Sequence, residues 1–312
     1  MKHSLSYFRH NVLASLLLCV ILAGISSGSL AGNIQLGKYA ASSVTEGKQG
    51  SFEKNDSIAF VKADWTKKKL GHGAEMRYAQ IRMFHSIQSI SLVLYPVKQY
   101  STRILQADRA ATTSELAKSV NADFAVNGSF FDTHNGKPVT FVMVDKVVKS
   151  TCPASAYDGR SNGLLAMDYS KKENRVGILP LKANAFDQIE KEYSSVLGSG
   201  PILMTDGIIP EFPDSIRHPR TIIGITDNGK DIIMVVIDGR FKGNADGMSY
   251  KESATIARYL KMKDVINLDG GGSSTLWTKT NGVINHPCDN HLFDHTGERK
   301  VSNIVYVSRI RK

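Results

Sequence analysis

The residue types best suited to chemistry lie in one run near the C-terminal end of the chain, Asn267-Leu268-Asp269-Gly270-Gly271-Gly272-Ser273. The run ends a short apolar segment, residues 265–268, which is typical of a buried strand. Glycine lets the backbone turn tightly and approach a ligand without a Cβ in the way. Successive backbone N–H groups in such a turn can bind an anion, and Asp269 places a carboxylate beside them. The run predicts a site for a phosphorylated or polyhydroxylated substrate, although a turn that only closes a sheet has the same composition.

Three other turns repeat the pattern of an apolar strand that ends in a polar loop with glycine. They lie at residues 127–132, 198–201 and 238–240. Because ligand sites in sheet proteins gather at strand ends, we expect Asn127, Gly128, Gly200 and Asp238 to meet the glycine run in one cleft. Asn-Gly and Asp-Gly are also favoured turn dipeptides, so the expectation depends on all four turns together.

Arginines close to these turns could bind a phosphate group. Arg220 begins an apolar segment, and its planar guanidinium can hold two phosphate oxygens at once. Arg240 and Arg299 are further candidates. No Gly-Lys pair is followed by Ser or Thr, so the chain has no Walker loop. Carboxylates are therefore the expected catalytic groups, with Asp269 and Asp238 as the candidates.

Residues 286–295 concentrate side chains of the types that bind metals, with three histidines, Cys288 and two aspartates. Their spacing fits no standard zinc pattern, and a polar loop with scattered histidines is the more common structure. We expect no cofactor and no metal site, with a divalent metal in this segment as the alternative.

Residues 1–31 have the pattern of a signal peptide. Lys2 and Arg9 make a basic start, residues 12–25 are apolar, and Ser29-Leu30-Ala31 gives the small-x-small sequence of a cleavage site. The apolar run is shorter than the roughly 20 residues of a membrane span. We predict cleavage after Ala31 and a periplasmic or secreted protein with no stable membrane insertion afterwards; an uncleaved anchor is the alternative.

Cleavage would remove two basic residues and no acidic ones, which leaves 37 basic and 29 acidic residues and a net charge of +8. That balance suits an anionic small-molecule or glycan substrate. Nucleic-acid binding is not expected, because the basic residues are scattered and no recognition motif occurs. Cleavage also removes Cys19, and the remaining Cys152 and Cys288 either form a disulfide or stay as separate thiols.

The remaining chain reads as a flexible tether, residues 32–54, and one domain, residues 55–312. Two capping boxes, Thr112 with Glu115 and Ser249 with Glu252, predict helices that end near Val120 and at Met262. Helix 250–262 would join strands 232–237 and 265–268 in a βαβ-like unit. Strands outnumber helices, which predicts a single α+β domain with a mixed β-sheet core and a few flanking helices. The predicted strands are residues 58–61, 90–95, 124–126, 163–167, 202–204, 221–226, 232–237, 265–268 and 304–307.

Six motifs occur in a characteristic order, and the match that they indicate covers roughly residues 55–310, nearly all of the chain that remains after cleavage. They are Asn127-Gly128-Ser129-Phe130-Phe131, Gly198-x-Gly200-Pro201 with Asp206-Gly207, Arg220-Thr221, Asp238-Gly239-Arg240, Asn267-Leu268-Asp269-Gly270-Gly271-Gly272-Ser273 and Arg299-x-x-x-Asn303. This ordered set resembles the phosphodiester glycosidase family. Ser129 departs from the family pattern, which more often has a second glycine there.

The resemblance implies a hydrolase that cleaves the bond between the anomeric carbon of a sugar and a phosphodiester, and releases a phosphomonoester. Asp269 or Asp238 would be the nucleophile or the base that activates water, and Arg220 would hold the phosphate with Arg240 or Arg299. The other residues expected to bind substrate are Asn127, Gly128, Gly200, Thr221, Gly270, Gly271, Gly272 and Ser273.

Two alternatives remain at this point. The same cleft could belong to a non-catalytic envelope protein that binds phosphorylated glycans. The scaffold could also carry a hydrolase of another phosphate ester or of peptidoglycan.

Overall fold

The structure of the protein, a computed structural model, describes residues 50–151, 161–169, 174–181, 186–213 and 215–310. The predicted signal peptide, most of the predicted tether and Cys152 lie outside these residues. Within them the helices are α1 (Gly50–Lys62), α2 (Thr113–Ser119), α3 (Phe186–Glu192) and α4 (Tyr250–Tyr259).

The strands of the described residues alternate with short turns along most of the chain. They are β1 (Thr66–Gly71), β2 (Ala74–Met83), β3 (Ser86–Pro96), β4 (Tyr100–Thr112), β5 (Phe124–Asn127), β6 (Val142–Val144), β7 (Val147–Ser150), β8 (Gly163–Asp168), β9 (Arg175–Pro180), β10 (Ser195–Ser199), β11 (Ile202–Met204), β12 (Arg220–Thr226), β13 (Asp231–Ile237), β14 (Met262–Asn267), β15 (Leu276–Thr278), β16 (Gly282–Val283) and β17 (Lys300–Arg309).

These strands form three sheets, and their described pairings are antiparallel. A seven-stranded sheet has the order β1-β2-β3-β13-β12-β14-β11, and two five-stranded sheets have the orders β7-β6-β10-β8-β9 and β16-β15-β5-β17-β4. The α+β class predicted from the sequence is confirmed, with antiparallel sheets in place of one mixed sheet. The predicted βαβ-like unit runs from β13 through α4 to β14. These two strands are not adjacent, because β12 lies between them and pairs with both.

Each sheet contributes one face to a shared apolar core. That core contains Val236 from the seven-stranded sheet, Val126 from the sheet around β5 and Leu165 from the sheet around β8, all fully buried. Helices cover the opposite faces: α1 and α4 lie on the seven-stranded sheet, α2 lies on the sheet around β5, and α3 lies on the sheet around β8. The sheets are therefore fixed against one another from inside, and their strand ends stay available for a site.

The predicted strands from residue 90 onward are confirmed as β3, β5, β8, β11, β12, β13, β14 and β17. Both capping boxes are also confirmed, because Thr112 and Ser249 each accept a hydrogen bond from the backbone N–H of the glutamate three residues on. Helix α4 ends three residues earlier than predicted. Lys261 has a left-handed φ of 58°, which stops the helix, and Met262 already begins β14.

The strand predicted at residues 58–61 is wrong, because these residues lie in α1. Phe60 is 6% exposed and contacts the rings of Trp65 and Tyr259, whereas Ile58 and Val61 are exposed. A single buried position in a four-residue apolar run is the pattern of a helix that lies on a sheet. Runs this short do not distinguish helix from strand by periodicity. Residues 50–54 of the predicted tether also belong to α1.

Strand β1 forms an exposed edge of the seven-stranded sheet. Its residues Lys67, Lys68 and Lys69 are all exposed, and the strand pairs with β2 on its inner side. None of the described helices combines the length and the apolar character that a membrane crossing requires.

The cap at Ser249 gives a test of how α4 is held at the end of the sheet. Ser249→Ala removes the hydrogen bond that the Glu252 N–H donates to Oγ of Ser249, so we expect the free energy of unfolding to fall by about 1 kcal/mol in urea titrations. The control is Lys251→Ala, an exposed position in the same helical turn, which should change stability by less than about 0.5 kcal/mol. Equal losses for both variants would contradict a role for the cap.

Candidate active site

Strand register brings three of the sequence motifs to the same end of the seven-stranded sheet. Strand β12 starts at Arg220, which pairs with Ile237 at the end of β13, and Ile222 pairs with Asn267 at the end of β14. Because β12 runs antiparallel to both neighbours, its beginning lies beside their ends. The Asp238–Arg240 and Asp269–Ser273 segments therefore leave the sheet on either side of Arg220.

A cavity of about 340 Å³ opens at this end of the sheet. We call it the arginine cavity, because three of its lining residues are arginines and one, Asp269, is acidic. Its polar lining and excess of positive charge favour an anionic ligand. The lining residues are Phe130, His218, Arg220, Arg240, Tyr250, Asn267, Asp269, Gly270, Gly271 and Arg299.

Asp269 lies two residues after the end of β14 and is half-buried. Its backbone N–H donates to the carbonyl of Gly128 (2.9 Å), and its carbonyl accepts from Nδ2 of Asn127 (2.6 Å). The Oδ1 atom of its carboxylate accepts from the N–H of Gly270 (2.9 Å). These bonds fix the backbone on both sides of the carboxylate, so the acidic group has a defined position in the cavity wall.

Arg220 is buried and held by the backbone of neighbouring loops. Its Nε donates to the carbonyl of Met248 (2.8 Å), one Nη donates to the carbonyl of Ile216 (3.1 Å), and the guanidinium lies 4.0 Å from the ring centre of Tyr250. A guanidinium has five N–H donors in a fixed plane, and these two bonds with the stacked ring set the orientation of that plane. A cation in this position cannot swing away from the cavity.

Arg240 and Arg299 also line the cavity. Arg240 is exposed, has a φ of 68°, and lies with Nη1 at 3.8 Å from Sγ of Cys288. Arg299 forms a two-pronged ion pair with Asp289, at 2.8 and 2.7 Å. Those hydrogen bonds raise the pKa of Arg299 above its ordinary value, and the charge of Asp269 acts in the same direction. Arg299 therefore remains a cation at any pH the protein meets.

The N–H groups of the glycine run are used inside the protein. Gly270 donates to Oδ1 of Asp269, Gly271 donates to the carbonyl of Pro219 (2.9 Å), and Ser273 donates to the carbonyl of Gly270 (3.2 Å). These three groups do not form the open anion-binding turn suggested by the sequence. Anion binding at this end of the sheet falls to the arginine side chains instead.

The glycines are required by close contacts. A Cβ at Gly271, whose φ is +63°, would lie 3.0 Å from Nη2 of Arg240. A Cβ at Gly272 would overlap Oδ1 of Asp289 and Nη2 of Arg299. The absence of side chains on this turn therefore lets Arg240 and Arg299 pack directly against it.

Asn127 lies behind the cavity and ties three chain segments together. It is fully buried, and its Oδ1 accepts from the hydroxyl of Thr221 (2.7 Å) and from the N–H of Thr275 (3.1 Å). Its Nδ2 donates to the carbonyl of Asp269, as described above. The amide thus connects the end of β5 to the start of β12 and to both ends of the glycine run.

Asp238 does not line the arginine cavity. Its carboxylate is fully buried and accepts from Oγ of Ser89 (2.6 Å), Nδ2 of Asn285 (2.9 Å), and both the backbone N–H and Nδ1 of His286 (2.9 and 3.0 Å). Asn285 also donates to the carbonyl of Ser274 (3.0 Å). With four donors, this carboxylate supports the loop after β16 and, through Asn285, the glycine run.

The structure thus divides the residues predicted from the sequence into two groups. The first group lines one cavity: Asp269, Arg220, Arg240, Arg299, Gly270 and Gly271. The second group supports or surrounds its walls: Asn127, Gly128, Gly200, Thr221, Asp238, Gly272 and Ser273.

Four cavity residues were not among the predicted site residues: Phe130, His218, Tyr250 and Asn267. Three of them occur inside or beside the motifs, so proximity in sequence was a usable signal. Tyr250 is the first residue of α4, and only the packing of that helix against Arg220 reveals it. Ser161 also lies in a Gly-x-Ser-x-Gly sequence, but it precedes β8 and lacks the strand-to-helix turn of a nucleophile elbow.

Two further expectations concern the loop after β16. Cys288 is buried, burial raises the pKa of its thiol, and it has no disulfide partner among the described residues. No group of three or more His, Cys, Asp or Glu side chains in the described ranges is arranged to hold a metal ion.

Residues 120–308 match the family model of the phosphodiester glycosidases, which is more than half of the chain. The chain belongs to the phosphodiester glycosidase family. Every residue that lines the arginine cavity falls within the matched segment. The resemblance of the ordered motifs is therefore confirmed.

A human member of this family, N-acetylglucosamine-1-phosphodiester alpha-N-acetylglucosaminidase, is 28% identical to the chain over 228 residues. The alignment covers 66% of the chain and 41% of the human protein, so the chain spans less than half the length of that relative.

Solved structures resemble the phosphodiester glycosidase fold described here at lower sequence identity. The zebrafish catalytic domain of N-acetylglucosamine-1-phosphodiester alpha-N-acetylglucosaminidase has a TM-score of 0.58 and 17% identity, and covers 86% of this chain and 96% of that one. A hypothetical protein from Synechocystis has a TM-score of 0.61 and 15% identity, and covers 79% and 64%. At these identities the similarity concerns the fold.

The role of Asn127 can be tested through stability. Asn127→Leu keeps the side-chain size but leaves the Thr221 hydroxyl, the Thr275 N–H and the Asp269 carbonyl without their partner. We expect the free energy of unfolding to fall by about 3 kcal/mol, measured in urea, because each unsatisfied buried group costs about 1–3 kcal/mol. Asn244→Leu, at an exposed position, is the matched control. If the two variants are equally stable, the amide does not join these segments.

Proposed function

We propose that the protein is an exported phosphodiester glycosidase that hydrolyses the bond between the anomeric carbon of a sugar and a phosphodiester. The observation that carries this proposal is the arginine cavity, in which one carboxylate, Asp269, faces the same space as Arg220, Arg240 and Arg299. A sugar-1-phosphodiester has matching parts: an electrophilic carbon for the carboxylate and an adjacent anion for the cations.

The departing group explains how a single lining carboxylate can suffice. Ordinary glycosidases use one carboxylic acid to protonate a poor leaving oxygen and a second carboxylate on the other side of the sugar. Here the leaving group is a phosphomonoester, which is already a stable anion with a second pKa of about 6. Stabilising its charge with fixed cations replaces most of the work of an acid.

Asp269 is assigned to the anomeric carbon, as the nucleophile or as the base that activates water. Arg220, oriented by Tyr250 and the Met248 carbonyl, binds the phosphate together with Arg240 and Arg299, which line the same cavity. We assign Asp238 a positioning role, because its carboxylate is occupied by four donors and lies outside the cavity lining.

The place of action in this proposal is the periplasm or the outside of the cell. It is supported by the signal-peptide pattern of residues 1–31 and by the net charge of +8 that remains after cleavage. The substrate would be a small molecule or glycan that carries a sugar-1-phosphodiester.

Asp269→Asn tests the catalytic assignment directly. We expect kcat/KM on a panel of sugar-1-phosphodiesters, including diesters of α-N-acetylglucosamine 1-phosphate, to fall at least about 10²-fold, with the melting temperature preserved. Asp227→Asn, at an exposed position in the β12–β13 turn, should behave as the native protein.

Product analysis in the same assay separates the alternatives. A free reducing sugar indicates glycosidic cleavage, whereas sugar 1-phosphate indicates cleavage on the other side of the phosphate. Native-like turnover by Asp269→Asn would reject this residue, and binding without turnover by the native protein would favour a non-catalytic role.

Arg240→Ala tests phosphate recognition at the exposed side of the cavity. Loss of a charged hydrogen bond costs about 1.5–3 kcal/mol, so we expect KM for a phosphodiester to rise about 10- to 100-fold. Hydrolysis of a neutral aryl glycoside of the same sugar should be little changed. Lys242→Ala, an exposed cation two residues away, is the control. Equal effects of Arg240→Ala on both substrates would remove phosphate binding from its role.

A further inference from the structure

A second cavity, of about 290 Å³, lies between β2 and the segment that runs from β16 to residue 295. Met76, Val283 and Ile284 form an apolar part of its wall, while Tyr78, His286 and His295 supply rings with polar atoms. It shares no lining residue with the arginine cavity. An apolar wall with a few fixed polar groups is the usual composition of a small-molecule site.

His286 presents a defined hydrogen-bonding atom to this cavity. Its Nδ1 lies 3.0 Å from Oδ2 of Asp238, and since a carboxylate accepts, Nδ1 carries a proton; in the neutral imidazole this leaves Nε2 as an acceptor. The ring of Phe293 stacks on the imidazole, with ring centres 3.7 Å apart and planes within 9°. The buried aspartate and the stacked ring together fix both the tautomer and the plane of His286.

His295 is fixed in the same tautomer by a different partner. Its Nδ1 lies 2.7 Å from the carbonyl oxygen of Asn285, which can only accept, so Nε2 is again an acceptor. The two imidazole rings have centres 4.6 Å apart and are tilted by 30°. Among the described residues, neither Nε2 atom has a hydrogen-bond partner. Two neighbouring imidazole rings, each with an Nε2 that has no partner among the described residues, thus line one cavity.

This arrangement matches a ligand with two neighbouring donors on an otherwise apolar face. The lining of this cavity offers two imidazole rings, and no group of three or more metal-binding side chains occurs there among the described residues. A pyranose ring fits both features, because its C–H groups form an apolar face and adjacent hydroxyls are donors.

We propose that the second cavity is a carbohydrate-binding subsite. A pyranose ring lies with its C–H face against Met76, Val283 and Ile284, and two adjacent hydroxyls donate to Nε2 of His286 and Nε2 of His295. Lys68, bonded to Oδ1 of Asn281 at the wall of the cavity, is placed to contact an anionic substituent of the sugar.

The site stands apart from the proposed hydrolysis, so each can fail without the other. It is nevertheless close along the chain to the arginine cavity: Arg299 follows His295 by four residues, and Arg240 follows Asp238 by two. A glycan longer than one sugar could therefore be held at a point away from the bond that is cleaved.

The test measures sugar binding by saturation-transfer NMR on the full chain, with glucose, galactose, N-acetylglucosamine and glucuronic acid as probes. Two variants disable the site without entering the core: His295→Phe keeps the ring and removes the acceptor, and Thr66→Trp fills the mouth of the cavity from the exposed strand β1. His134→Phe, at an exposed position in another loop, is the matched control.

We expect at least one probe to bind the native protein. Its dissociation constant should rise about tenfold in His295→Phe and in Thr66→Trp, which corresponds to the loss of one hydrogen bond. His134→Phe and Asp269→Asn should bind as the native protein does. The proposal is overturned if no probe gives a signal, or if binding survives both cavity variants. Signals lost only in Asp269→Asn would place the sugar in the arginine cavity and would also overturn it.

Discussion

The geometry of the arginine cavity depends on one buried amide, that of Asn127. Its oxygen accepts two hydrogen bonds and its nitrogen donates one, so strands of two different sheets and the glycine run are joined at a single side chain. Antiparallel pairing brings the strand ends near one another, but it does not fix the loops that follow them. The amide supplies that connection at Asp269, where its hydrogen bond to the backbone carbonyl holds the start of the glycine run in place.

Two turns, Asp238-Gly239-Arg240 and Asp269-Gly270-Gly271, both begin with Asp-Gly but have different surroundings. Asp238 is buried among donors from two segments, Ser89 in β3 and Asn285-His286 after β16, whereas Asp269 lies beyond the end of its strand in a cavity lined by cations. Burying a carboxylate is tolerated only when hydrogen bonds replace its water, and four donors do so at Asp238. The same residue type is therefore enclosed by donors in one turn and lines an open cavity in the other.

Much of this arrangement could be predicted from the sequence, because the signals were local. Capping boxes marked the starts of α2 and α4, and long apolar runs marked the central strands. The motifs located Asp269, Arg220, Arg240 and Arg299, which do line one cavity. What the sequence could not show depended on contacts between distant residues. The helix at residues 58–61 is stabilised by the packing of Phe60 on the sheet. The carboxylate of Asp238 is enclosed by hydrogen bonds from Asn285 and His286. The N–H groups of Gly270 and Gly271 donate to Asp269 and to Pro219.

The exposed edge strand β1 has a consequence for how copies of the protein behave in concentrated solution. An unpaired strand edge is a template on which a second chain can extend the sheet, and unchecked extension leads to fibrils. Three consecutive lysines on β1 would bring like charges face to face across such a junction, since a second copy would contribute the same three. Their repulsion opposes edge-to-edge growth, and high salt, which screens it, weakens that protection.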